Sequence, residues 1–111
     1  MNDGSAFAVT VHSDRTSVRV AASGELDGAS RGVLAAQLDD LWKLGWTDVI
    51  ADLRGLTFMD SSGVHLLVEH HRRALETGAR FSIIDGPAPV ARVLELCGVD
   101  DVLVSIPPRA A

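Results

Sequence analysis

Apolar and polar positions alternate twice near the start of the chain. Phe7, Val9 and Val11 share one face of "AFAVTVH", and Val18, Val20 and Ala22 share one face of "SVRVAAS". A polar "SDRT" separates the two runs, which predicts an antiparallel hairpin. After "GELDGASRG" the period becomes helical over about 29–44. Leu34, Leu38, Leu41 and Gly45 form the stripe, widened by Val33, Trp42 and Leu44, with Asp39, Asp40 and Lys43 opposite. "TDVIADL" reads as a short buried strand over about 48–53. A second helix fits 63–77, where Val64, Leu67, Val68, His71 and Leu75 keep the i, i+3, i+4 spacing and Gly78 is a natural stop. "ARFSIID" is another strand. Pro87 and Pro89 open a third helix with Val90, Val93, Leu94 and Cys97 inside, Gly98 ends it, and "DVLVSI" is a final strand stopped by Pro107 and Pro108. Residues 1–5 and 107–111 read as loose ends.

The predicted order is β-β-α-β-α-β-α-β, an α/β fold with a mostly parallel sheet, an antiparallel edge hairpin and packed helices. Functional surfaces of such sheets lie at the carboxyl ends of the strands. That places two loops side by side, 23–28 and 56–62.

Bulk properties narrow the function. With 111 residues and 47% hydrophobic content, the chain fits one domain with one core, here read as 1–111 with an ordered part of about 6–106. A net charge of −5 argues against nucleic acid and against an anionic membrane surface as partners. Cys97 is the only cysteine, which excludes an internal disulfide and a cysteine zinc site. The chain carries neither a signal-peptide pattern nor an apolar run of about 20 residues, so a cytoplasmic location is expected.

The chemistry concentrates in "LTFMDSSGVHLLV". Asp60, Ser61 and Ser62 stand just before a predicted helix, where an oxygen-bearing side chain caps the first turn. On spacing alone the cap is the better reading. One cap needs one oxygen, however, and three in a row exceed that need, so at least one hydroxyl should face solvent. Gly63, within the helix, costs about 1 kcal/mol relative to alanine. Either a partner comes close there or the neighbouring loop packs tightly against it.

"LTFMDSSGVHLL", with "ASGELDGAS" upstream and "RVLELCGVDDVL" downstream, resembles the STAS-domain anti-sigma factor antagonists of bacteria, over nearly the whole chain and in the right order. The resemblance implies a single STAS-type domain with the alternating fold read above. It also implies that Ser61, ahead of Ser62, is the phosphoacceptor of a partner that is both anti-sigma factor and serine kinase. Ser62 would then neighbour it or cap the helix, and Asp27 in "GELD" would match a family acid near the partner surface. His65 stands where close relatives often carry glycine or arginine. The implied switch has the unmodified protein binding the kinase and freeing a sigma factor, phosphorylation at Ser61 ending that binding, and a phosphatase restoring it. The contact set is expected to be Asp27, Asp60, Ser61, Ser62, Gly63 and Leu66, the last sitting off the apolar stripe beside the serines. The alternative is a STAS scaffold that is never phosphorylated, in a signalling complex or a lipid-transport system, with the serines as caps.

Other chemistries fit less well. The segment lacks the first glycine of G-x-S-x-G, and His65 lies about a helical turn away with no orienting acid, so a serine hydrolase is not expected. Without a G-x-x-x-x-G-K-[ST] loop the kinase must come from outside. His65, His70 and His71 contain no i, i+4 pair, so a metal site is not expected; no other cofactor is expected either. His71 is read as a core or boundary residue and His70 as polar-face. Cys97 reads as core packing, and Trp42 and Trp46 as closing the core away from the serines.

Overall fold

The computed structural model describes residues 6–106. The residues read as loose ends, and the two prolines expected to stop the last strand, lie outside that span. β1 (Ala8–Ser13) and β2 (Val18–Leu26) form the predicted hairpin, with His12 opposite Arg19 and the Asp14 amide donating to the Ser17 carbonyl at 2.8 Å. There follow α1 (Arg31–Lys43), β3 (Asp48–Met59), α2 (Ser61–Thr77), β4 (Arg80–Ile84), α3 (Ala88–Leu96) and β5 (Val104–Ser105). The five strands lie in chain order, β1-β2-β3-β4-β5, antiparallel at the first pair and parallel thereafter. Right-handed crossovers between consecutive neighbours put every connecting helix on the same side. α1 accordingly packs on α2, and α2 on α3.

The alternation in the strands now has a direction. Val18, Val20 and Ala22 of β2 and Val49, Ala51 and Leu53 of β3 point toward the helices and are buried. Arg19 on β2 and Ile50 and Asp52 on β3 point the other way. Leu34, Leu38 and Leu41 of α1 and Val90 and Leu94 of α3 close the core from the helical side.

Several expectations change. β3 runs twelve residues, to Met59, and not to about 53. Arg54 and Gly55 break its hydrophobic pattern, but the backbone stays paired with β2 through register shifts, Ser23 opposite Gly55 and Leu26 opposite Met59. The expected loop 56–62 therefore shrinks to Asp60. α2 starts at Ser61, so both serines are helical. Val33 (53% exposed), Leu44 (75%) and Leu75 (68%) lie outside the core, and Cys97 is exposed, not packed. The last strand keeps only two residues.

Candidate functional site

The carboxyl ends of β2 and β3 meet beneath the start of α2. Leu26 pairs with Met59, and the Asp60 amide donates to the Leu26 carbonyl at 3.2 Å. Asp60 then leaves the strand in an extended conformation and becomes the N-cap. Its carboxylate accepts the Ser62 amide at 2.9 Å, and its carbonyl accepts the Gly63 amide at 3.1 Å. An orphan donor of the first turn is thereby satisfied without a serine. Ser61 occupies the first helical position and is exposed; Ser62, at the second, is half-buried. The Ser62 hydroxyl lies 3.7 Å from where a side chain on Gly28 would begin, so the loop after β2 abuts the serine turn.

That loop is ordered by Asp27. One carboxylate oxygen accepts the amides of Ala29 (3.0 Å) and Ser30 (3.1 Å) and the Ser30 hydroxyl (3.2 Å), and the Ser30 hydroxyl also reaches the Glu25 carbonyl at 2.6 Å. The Asp27 carbonyl accepts the Arg31 amide, starting α1. Asp27 is half-buried, and its fold-level work is to hold the turn that faces Ser62.

Two expected contact residues turn inward. Leu66 is 1% exposed and belongs to the core, so it cannot meet a partner. Gly63 is buried too: a Cβ there would stand 2.7 Å from Met59 Cγ and 2.8 Å from Leu26 Cδ2. Tight packing of α2 on the two strand ends accounts for that glycine. Two residues not singled out as contacts face solvent instead. Phe58, paired with Glu25 near the end of β3 and two residues before Asp60, is 46% exposed, a large apolar surface on the side of the strand opposite Met59. Its only signal in the sequence was an aromatic next to "MDSSG". His65 is exposed one helical turn from Ser61, on the same face. It opens a groove of about 560 Å³ between α2 and the end of α3, lined by Val64, Val68, Arg72, Cys97 and Val99.

His70 is where the histidine reading fails most clearly. It is 2% exposed, its Nδ1 accepts the Trp42 indole N–H at 2.9 Å, and Phe81 packs against its ring. His71, the expected core residue, is only half-buried. Burial pushes the His70 imidazole below its ordinary pKa, with Asp39 and Glu69 pulling weakly the other way. Among the described residues no group of three His, Cys, Asp or Glu side chains is placed to hold a metal, and no helix is long and apolar enough to cross a membrane.

A mostly parallel sheet covered by helices on one side, with a carboxylate-capped helix presenting a serine at the carboxyl ends of two adjacent strands, defines an α/β domain whose candidate site is a helix start. The chain belongs to the STAS domain family: the family model described as "Mlab, STAS domain" matches residues 9–105. It is 27% identical over 82 residues to the anti-sigma F factor antagonist of Paenibacillus polymyxa, covering 73% of this chain and 70% of that one. An anti-sigma factor antagonist from Mycobacterium paratuberculosis has the same fold, with a TM-score of 0.80 at 19% identity over 97% of this chain and 92% of the other. The anti-sigma factor antagonist SpoIIAA in its unphosphorylated form superposes with a TM-score of 0.73 at 25% identity, over 91% of this chain and 88% of the other. The phosphorylated form of SpoIIAA, from Bacillus, gives 0.67 at 24% identity over 91% of each.

Proposed function

We propose that this protein is an anti-sigma factor antagonist that works in the cytoplasm as a substrate of a partner kinase and not as an enzyme. Unmodified, it docks its serine edge on an anti-sigma factor that is also a serine kinase, and a sigma factor is released. Phosphorylation of Ser61 ends the docking, and a phosphatase resets it. The observation that carries this reading is the division of labour at the start of α2: Asp60 serves the helix end, and Ser61 stands exposed with no capping duty. The similarity to the Paenibacillus anti-sigma F factor antagonist and to the anti-sigma factor antagonist SpoIIAA supports the same direction.

The physics of the switch is local. A phosphate adds about −1.5 to −2 charges at neutral pH. At the first position of α2 it meets the favourable end of the helix dipole, so the fold tolerates it. A docked partner meets added bulk and charge beside the carboxylates of Asp60 and Asp27. Phe58, His65 and the groove beyond His65 supply apolar and polar contact area beside that charge, with Asp27, Asp60 and Ser62 at the rim.

The test is incubation with the cognate kinase and ATP followed by site mapping by mass spectrometry. Phosphate is expected on Ser61, and Ser61→Ala should bind the kinase yet accept none. Ser61→Asp should weaken binding about tenfold or more. Modification of another residue, or undiminished binding by Ser61→Asp, refutes the assignment. Binding to a multiprotein scaffold with no phosphorylation at all would favour the unphosphorylated STAS module.

A further inference from the structure

The face of the sheet that carries no helix has its own cavity. Cross-strand neighbours form a row there, His12–Arg19–Ile50–Ser82, and the next row brings Asp52 beside Ile84. Over these rows lies a cavity of about 380 Å³ near the β1–β2 turn, within the range of about 300–1,000 Å³ usual for small-molecule sites. Among the described residues, Ile50, Ile84 and Ile106 give it an apolar floor. Arg19 and Arg54 form a wall, and His12 and Asp14 lie at the hairpin end.

The wall is preorganised. Asp52, 4% exposed, accepts Arg19 at 2.9 Å, and Arg54 through its amide (3.1 Å), its Nε (3.0 Å) and a terminal nitrogen (2.8 Å). One carboxylate thus fixes two guanidiniums and neutralises one of them. Each guanidinium still has N–H donors that Asp52 does not use, and both side chains keep solvent access, 35% for Arg19 and 46% for Arg54. Asp14 contributes a negative charge, but it sits at the exposed turn, where its carboxylate accepts the Arg15 amide. Forked, fixed donors beside a branched apolar floor match a small carboxylate with an apolar body better than a bare ion or a neutral molecule.

We propose that this cavity is a binding site for a small organic carboxylate with a short branched apolar chain. The anion is held by Arg19 and Arg54 and the chain lies on Ile50, Ile84 and Ile106. The site is separate from the serine edge. It lies over the first halves of β2 and β3, beside the ends of the short strands β4 and β5, and on the face opposite the helices, so it stands or falls independently of the Ser61 switch.

Isocaproate serves as the probe, titrated into the full chain and followed by NMR of the isoleucine methyls and arginine Nε–H groups. The neutral isocaproamide and inorganic phosphate are run in parallel. Isocaproate is expected to shift the Ile50, Ile84 and Ile106 methyls together with the Arg19 and Arg54 signals, saturating with a Kd on the order of 1 mM. Amide and phosphate should each bind about tenfold more weakly or worse. Arg54→Gln should lose about tenfold or more in affinity with methyl signals elsewhere unchanged, and Arg54→Lys, which keeps charge but not the fork, should lose nearly as much. The proposal is overturned by the absence of a saturable shift at these methyls, by equal binding of amide or phosphate, or by wild-type affinity in both Arg54 variants.

Discussion

Asp60 satisfies the first turn of α2 by itself, so the two neighbouring residues should respond very differently to truncation. Asp60→Ala is expected to cost about 1 kcal/mol in urea denaturation. Ser61→Ala should stay within about 0.5 kcal/mol, as at any exposed position without a structural duty. A comparable loss in both would mean that the serine shares the capping. Leu66 and Gly63 belong to the same argument from the inside. Leu66→Ala should cost about 2–5 kcal/mol, the signature of a core leucine, where an interface leucine would change binding and leave stability alone. Gly63→Ala forces a methyl against Met59 and Leu26 and should cost about 1–3 kcal/mol. The oxygens and the glycine were visible in the sequence at this scale. Which oxygen caps was not, because that depends on the angle at which β3 hands the chain to α2.

α2 is the element whose buried face the sequence pattern misplaced. The stripe drawn through Val64, Leu67, Val68, His71 and Leu75 holds at Val64 and Leu67, but the buried arc continues through Gly63, Leu66, His70 and Ala74, leaving Val68 and His71 half-buried and Leu75 exposed. The helix is wedged between α1 and β4, and the residues that fit there include a glycine, an alanine and a histidine that the Trp42 indole satisfies. This pair makes stability pH-dependent. His70 stays neutral in the folded protein below the ordinary value of 6.5, while the unfolded chain takes up a proton there. The unfolded state then binds more protons, so the contribution is complete above about pH 6.5 and is lost as pH falls below it. Melting temperatures measured downward from neutral pH should show this decline, and His70→Gln should flatten it at the expense of some stability at pH 7. An unchanged slope in His70→Gln would assign the decline to other groups. Arg31–Glu69 and Arg73–Asp39 also join α1 to α2 but are exposed, and pairs of that kind contribute only about 0–1 kcal/mol each.

Over the whole molecule, strands in chain order leave one face of the sheet without helices, and the charge buried there is Asp52. Burial alone would raise its pKa, but the hydrogen bonds and charge of Arg54 and the hydrogen bond from Arg19 hold it below the ordinary 3.8. Its contribution is therefore present above about pH 3.8 and is lost as pH falls through the folded value. Acid unfolding should proceed in two windows, the first carried by His70 and the second including Asp52. Asp52→Asn should remove part of the second and cost about 1–3 kcal/mol at neutral pH, because the arginines it leaves unpaired can still reach water. The proposed phosphorylation belongs to this scale too. Ser61→Asp should keep the circular dichroism spectrum and a near-native melting temperature while losing the partner, since its charge lies at a helix start and outside the core.

Composition and periodicity alone determined the class of fold, the element order and the hairpin edge, and pointed to the carboxyl ends of the strands for a candidate site, because hydrophobic alternation and turn chemistry are local. The motif around Ser61 singled out the candidate site within that region. The extent of β3 came from pairing with β2, which carried the strand through Arg54 and Gly55, where local pattern predicts a break. The same holds for the burial of Leu66 and His70, the exposure of Phe58 and Cys97, and the meeting of Arg19, Asp52 and Arg54. Each depends on which surface a neighbouring element covers, and residues distant along the chain decide that.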